Sequence, residues 1–233
     1  VHLLLIRHGQ TPSNVQGLLD TAHPGPGLTK LGSRQAAQIP SALAGRPIHG
    51  IYVSTLIRTH LTAAPLSLDR AIHVVQLPGI HEIEAGDIEK RSDRDSVRTY
   101  LETVFAWGYG DLDVRMPGGA DGHAFFARFD ADIRSIEERV GSGTAVVVSH
   151  GAAIRVWVAA RSTNVRPPFA AEHEIANTGI IELEGTSDEG FVLRMWQGSP
   201  VGGPQLDDEA ADGPAGEALS DVGADPTRFG DQT

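Results

Sequence analysis

Cysteine is absent from this 233-residue chain, which excludes a disulfide framework, thiol catalysis and any thiolate metal site. Basic residues are in short supply too. Lys and Arg number 19 against 30 Asp and Glu, a formal net charge of −11, and that balance argues against a protein that coats nucleic acid. No apolar run approaches the length of a membrane span, so no membrane partner is expected. The opening stretch Val1–Ile6 is too short for a signal-peptide core and runs straight into polar residues. The expected location is therefore the cytoplasm, although the missing initiator Met leaves a removed leader open. Aromatic residues are few at 6%, yet 40% hydrophobic and 21% charged residues in a chain of this length describe a soluble globular protein with a real core.

The negative charge is unevenly placed. Between Gly198 and Thr233 lie eight acidic residues against the single Arg228, so seven of the eleven net negative charges sit there. The same stretch holds seven Gly and four Pro and shows no apolar periodicity. Such a segment buries too little surface to offset its ordering entropy, and disorder is expected over 198–233. The remaining body, residues 1–197, is only mildly acidic and reads as one catalytic domain.

Within that body two kinds of segment alternate. Short runs rich in Val, Ile and Leu read as buried strands at Leu3–Ile6, Ile51–Ser54, Ile72–Leu77, Ala145–Ser149, Gly179–Leu183 and Phe191–Trp196. Helix-like stretches lie between them. The clearest runs from about Asp121 to Val140, with Phe126, Phe129, Ile133, Ile136 and Val140 on one face. Another starts after Thr29 as N-cap and runs to Ala44, kinked or shortened by Pro40, and others open near Leu56 and after Gly151. This alternation predicts an α/β fold, a three-layer α/β/α sandwich around a mostly parallel sheet. The stretch 90–119 fits poorly and reads as a variable cap, its Tyr100, Phe105, Trp107 and Tyr109 forming either cap core or substrate wall.

The residues that carry chemistry sit at the strand ends, where ligands bind in such folds. The first strand ends in Arg7-His8-Gly9, followed by Gln10, Thr11 and Asn14; a later one ends in Ser54 with Arg58 just beyond; a third ends in Ser149-His150-Gly151. Two Arg and two His gathered beside helix N-termini make a site for an anion, phosphate above all. The glycine after each His lets the backbone approach the ligand closely. A neutral His8 held at one ring nitrogen is a nucleophile toward phosphorus, with His150 and both Arg neutralising the transferred group. Glu82, in the run Ile80-His81-Glu82-Ile83-Glu84, is the candidate proton donor, with Glu84 as runner-up. Asn14 either caps a turn or contacts the ligand. The remaining histidines show no metal-ligand spacing, and Glu172-His173-Glu174 is the sole local cluster resembling ligands, so no metal and no cofactor are expected.

These blocks resemble the histidine phosphatase superfamily, also called phosphoglycerate mutase-like. Arg7-His8-Gly9-Gln10-Thr11 with Asn14 matches its opening signature. Gly17, Leu28-Thr29, Gly32 and Gln35-Ala36 match the second block, and Ser54, Leu56, Arg58, Thr59, Thr62 and Ala63 the third. Glu82, Gly86 and Glu89, then Ser149-His150-Gly151, complete the order across roughly residues 2–196. The resemblance implies a histidine acid phosphatase-type phosphoric monoester hydrolase with His8 as the phosphorylated nucleophile. It also implies Glu82 as proton donor and Arg7, Asn14, Arg58, His150 and Gly151 around the phosphate.

The chain departs from the family at Lys90, where a Gly is usual, at Ala85, where a bulkier residue is common, and at Ala120-Asp121, where many phosphatase members have Glu-Ser. The basic substrate-gripping segment of the mutase branch has Lys90, Arg91, Arg94 and Arg98 as its only candidates, and an acidic, glycine-rich tail is expected to make a poor lid. A mutase must keep water from its phosphohistidine and a phosphatase must admit it, so hydrolysis of a small phosphate ester is the favoured expectation. A cofactor-dependent phosphoglycerate mutase and a non-catalytic phosphate-binding protein are the alternatives. The partner is a small-molecule ester, the substrate and the tail's role are not legible, and a homo-oligomer is compatible with the composition.

Overall fold

The apolar runs become six strands of one sheet: β1 (His2–Arg7), β2 (Gly50–Val53), β3 (Val74–Gln76), β4 (Thr144–Ser149), β5 (Ile180–Thr186) and β6 (Gly190–Gln197). This is a computed structural model, and it describes residues 1–208 and 213–216. The strand order is β3-β2-β4-β1-β5-β6. Neighbours among β1 to β4 run parallel, whereas β5 is antiparallel to β1 and β6 antiparallel to β5. Leu3, Leu4, Leu5 and Ile6 are all fully buried, as are Val146 and Val147, because helices cover both faces of the parallel part.

Alternate residues feed two cores. Leu3, Leu5, Ala145 and Val147 face α4 (Arg94–Gly108), α5 (Gly122–Val140) and α6 (Gly151–Arg161), in a cluster with Trp107, Phe125, Phe129 and Trp157. Leu4, Ile6, Val146 and Val148 face the other way, toward Ile39 of helix Lys30–Ala42, Leu43 just after it, and Ala63 and Leu66 of helix Ile57–Arg70. Two short helices, Pro12–Val15 and Pro167–Glu172, complete the α-helices of the described residues. In chain order these become α1 (Pro12–Val15), α2 (Lys30–Ala42), α3 (Ile57–Arg70), α4, α5, α6 and α7 (Pro167–Glu172). The three-layer α/β reading of the sequence holds. The chain after β1 leads to α2 on one face and that after β4 to α6 on the other, which opens a crevice beyond the ends of two adjacent strands.

Three details differ from expectation. Strand β3 is only three residues long and half-exposed, as suits an edge. The stretch 90–119 contains a regular helix, α4, capped by Asp93, whose carboxylate accepts from Ser96 N; Phe105 and Trp107 are core, not substrate wall. The stretch from Gly198 was expected to be disordered, yet residues 198–208 and 213–216 pack on the body. Val201 and Leu206 are buried, Gln35 Nε2 donates to Leu206 O at 2.8 Å, and Ile175 N donates to Gly216 O at 3.3 Å. The remainder of that expectation lies outside the described residues.

Candidate active site

Residue His8 follows the last residue of β1, and its backbone is pinned from two sides: His8 N donates to Ser149 O at 3.0 Å and Asn177 Nδ2 donates to His8 O at 2.9 Å. Its ring Nδ1 lies 2.8 Å from Gly9 O. A carbonyl only accepts, so Nδ1 carries the proton and Nε2 of the neutral ring is bare. Burial holds the ring's pKa well below 6.5, reinforced by the charges of Arg58 and Arg7. The result is an unprotonated nitrogen in a positively charged surrounding.

Around it lies a cavity of about 30 Å³ whose wall includes Arg7, His8, Asn14, Asp20, Arg58, Glu82 and Tyr100. Both arginines are buried, at 1% and 3% exposure. Arg7 Nη1 donates to Ile175 O at 2.6 Å, and Arg58 Nη2 donates to Asp20 O at 3.0 Å. Burial lowers the Arg58 guanidinium to about 10, which leaves it charged at neutral pH. His150 faces His8 with ring centroids 5.3 Å apart, its Nε2 2.7 Å from Ser54 Oγ. His150 Nδ1, Arg58 Nε and Arg58 Nη1 are buried with no hydrogen-bond partner among the described residues. An unmet buried polar group costs about 1–3 kcal/mol, so a cluster of them fits a site built to receive an anion's oxygens.

The third sequence block now has a physical reading. Ser54 orients His150, Thr62 Oγ1 accepts from Gly9 N at 2.9 Å and donates to Arg58 O at 2.7 Å, and α3 is thereby tied to the loop bearing His8. Gly9 and Gly32 pack against each other. A Cβ on Gly9 would lie 2.7 Å from Gly32 O, and one on Gly32 would overlap the Gln10 backbone, so the pair lets the loop cross α2. Gly151 meets Ala215 O in the same way.

Glu82 is 3% exposed and its carboxylate sits on the first turn of α6. Oε1 accepts from Ile83 N and Ala153 N, both at 2.9 Å, and Oε2 from Ala152 N at 3.3 Å. Free helix N–H groups were expected to face the anion there; the Glu82 carboxylate takes two of them instead. Burial raises its pKa above 4.5 despite those hydrogen bonds and Arg58. Glu84 points outward toward His81, and Glu89 accepts from Thr21 N and Ala22 N, so neither competes for the cavity. Asn14 caps the turn, its Oδ1 accepting from Thr11 N at 2.9 Å in a capping box, and the residue also lines the cavity.

Asp20 and the tail residues Pro214 and Ala215 were not foreseen in the wall, whereas Tyr100, expected as cap core or substrate wall, does line it. Asp20 is buried, its Oδ2 bound by the Ser13 hydroxyl and by Lys90 Nζ at 2.5 Å. Lys90 adopts φ +63°, which explains the glycine usual at that place. Tyr100 lines the cavity and donates its hydroxyl to Ile83 O at 2.9 Å. Pro214 and Ala215, from the tail, form one side of the wall. The tail's glycines permit that: a Cβ on Gly216 would overlap Arg7, and one on Gly213 would lie 2.7 Å from Asn14 Nδ2. Among the described residues no three His, Asp or Glu side chains gather as metal ligands, and no helix is long and apolar enough to cross a membrane.

The model of the histidine phosphatase superfamily (branch 1) matches residues 3–198. The chain belongs to that superfamily. It is 32% identical over 160 residues to the adenosylcobalamin/alpha-ribazole phosphatase of Escherichia coli, covering 68% of this chain and 78% of that one. It is 37% identical over 216 residues to the PE-PGRS family protein PE_PGRS11 of Mycobacterium tuberculosis, of which it spans 37%, against 86% of its own length. Probable phosphoglycerate mutases match at 27–28%. Among solved structures, the alpha-ribazole phosphatase of Shigella flexneri superposes with a TM-score of 0.68 at 26% identity, covering 88% of this chain and all of that one. A mycobacterial glucosyl-3-phosphoglycerate phosphatase shares the fold, with a TM-score of 0.71 at 23% identity over 85% and 99% of the two chains.

Proposed function

We propose that residues 1–197 form a metal-independent phosphomonoesterase that hydrolyses a small phosphate ester through a phosphohistidine at His8. The observation that carries this is the ring of His8, whose hydrogen bond to Gly9 O leaves Nε2 bare beside a cavity lined by two buried guanidiniums. The Nε2 lone pair attacks phosphorus as the P–O bond to the alcohol breaks. Arg7, Arg58, Asn14 and His150 hold the non-bridging oxygens, where positive charge and fixed donors stabilise the transferred group. The leaving alkoxide takes the proton of Glu82, carried on Oε2, the oxygen with the single long contact. The resulting carboxylate then takes a proton from water, whose oxygen attacks phosphorus, breaks the N–P bond and returns the lone pair to Nε2. Orthophosphate leaves and Glu82 is again protonated.

The acid phosphatase-type assignment and a cytoplasmic location are part of the same proposal, as is a small-molecule partner in preference to nucleic acid or membrane. Purified protein should release phosphate from nitrophenyl phosphate in EDTA, and His8→Ala should abolish turnover; activity lost with chelator but retained in His8→Ala overturns the reading. One observation favours a mutase instead, the Pro214–Ala215 wall on one side of the cavity, since a mutase must keep water from its phosphohistidine. Isomerisation of phosphoglycerate faster than phosphate release, stimulated by a bisphosphate, would decide for it.

A further inference from the structure

The loop that carries Glu82 has almost no regular structure of its own. Between β3 and the 3₁₀ turn at Gly86–Ile88 it must still present a carboxyl group to within a fraction of an ångström of the departing oxygen. Ser149 Oγ donates to Ile80 O and Tyr100 to Ile83 O, and two side chains one turn apart on α5 meet most of the other backbone groups of 79–82. Arg128 Nη1 donates to Gly79 O and, at 2.8 Å, to His81 O; Arg128 Nη2 donates to Glu82 O at 2.9 Å. Asp132 Oδ2 accepts from Gly79 N and, at 3.1 Å, from Ile80 N. Five hydrogen bonds thus fasten 79–82 to one helix.

The fastening is built in at both ends. A Cβ at Gly79 would overlap the Arg128 carbonyl, so glycine is what lets the loop lie against α5. The Arg128 guanidinium lies over the Phe125 ring, 5.1 Å from its centroid, which fixes the side chain. Burial lowers its pKa to about 10, so it stays charged near neutral pH. Neither Arg128 nor Asp132 lines the cavity.

Resting on the phosphatase reading above, we propose that Arg128 and Asp132 are positioning residues for proton donation: the pair sets where the Glu82 carboxyl stands and touches neither substrate nor reacting atoms. A merely structural pair would cost stability and slow all esters alike. A positioning pair makes the loss depend on how much the leaving group needs a proton.

The test is kcat/KM over a series of aryl and alkyl phosphates for wild type, Arg128→Met, Arg128→Lys and Glu82→Gln, with folding checked by circular dichroism and thermal melting. Arg128→Met should lose about tenfold or more on alkyl phosphates and no more than about twofold on nitrophenyl phosphate. Arg128→Lys, which keeps the charge, should fall between the two. A uniform loss, or none, in a folded Arg128→Met protein overturns the inference. If Arg128→Met does not fold, Asp132→Asn is put through the same series and judged by the same criterion. Glu82→Gln separates the two layers: a graded loss there beside a flat Arg128→Met profile sinks only the positioning role, whereas a flat Glu82→Gln profile sinks the proton-donor reading beneath it.

Discussion

The rings of His8 and His150 face each other at 5.3 Å between centroids, tilted by 57°, in a site where neither can carry charge cheaply. Burial is the largest cause in both, and Arg58 the next. Each ring's pKa is held well below 6.5, so the unfolded chain binds protons that the folded one refuses.

That difference has a defined sign. Above about pH 6.5 both rings are neutral in either state and folding is unaffected; below it stability falls by about 1.4 kcal/mol per pH unit for each refused proton. His150→Asn should therefore show a shallower loss of stability between about pH 6.5 and 5.5 than the parent, by close to one proton. Chemical denaturation at several pH values measures it. The contribution from Glu82 is common to both proteins and cancels. Equal slopes would mean that His150 takes up its proton in the folded state.

Glu82 titrates in the opposite sense. Its pKa is raised, chiefly by burial, and catalysis needs the protonated form, so activity falls as pH rises through that elevated value. At the acid end activity falls as His8 Nε2 is protonated, below 6.5. A bell on the acid side of neutrality is expected for an alkyl phosphate. In Glu82→Gln, assayed with nitrophenyl phosphate so that proton donation matters little, the alkaline limb should disappear. A limb that persists assigns the titration to another group.

Lys90 and Asp20 make a third test. The ammonium 2.5 Å from the buried carboxylate neutralises a negative charge on the wall of an anion cavity. Lys90→Met should raise KM about two- to fivefold with kcat little changed, since the Lys90 side chain is half-exposed and such pairs are modest. Added salt should narrow the gap between variant and parent. An unchanged KM would make Lys90 a surface residue with no bearing on the substrate.

Much of this was legible in the sequence, and the reasons are physical. Parallel strands covered on both faces must be apolar throughout, so Leu3–Ile6 and Ala145–Ser149 read directly as strands. The ends of those strands carry Arg7, His8 and His150; Arg7 and His8 line the cavity with Arg58 from the start of α3, and His150 stands beside His8. Helix α4 also left a signal, in Val97, Tyr100, Leu101 and Val104 at helical spacing behind the capping Asp93, but the irregular residues that follow it obscured the pattern. The tail misled for a better reason. Composition reports how little apolar surface Gly213 and Gly216 can bury, not that a missing side chain lets backbone lie against Asn14 and Arg7. Arg128 and Asp132 were invisible because an i, i+4 charge pair on a helix looks like a surface pair until the loop against it is seen.

The most direct test is rapid quenching of the enzyme during turnover of a labelled phosphate ester, into alkali, followed by peptide mapping. The account predicts a phosphoryl group on the peptide bearing His8, formed at the rate of alcohol release and absent in His8→Ala. Turnover with no adduct, or with the label on another side chain, would contradict it.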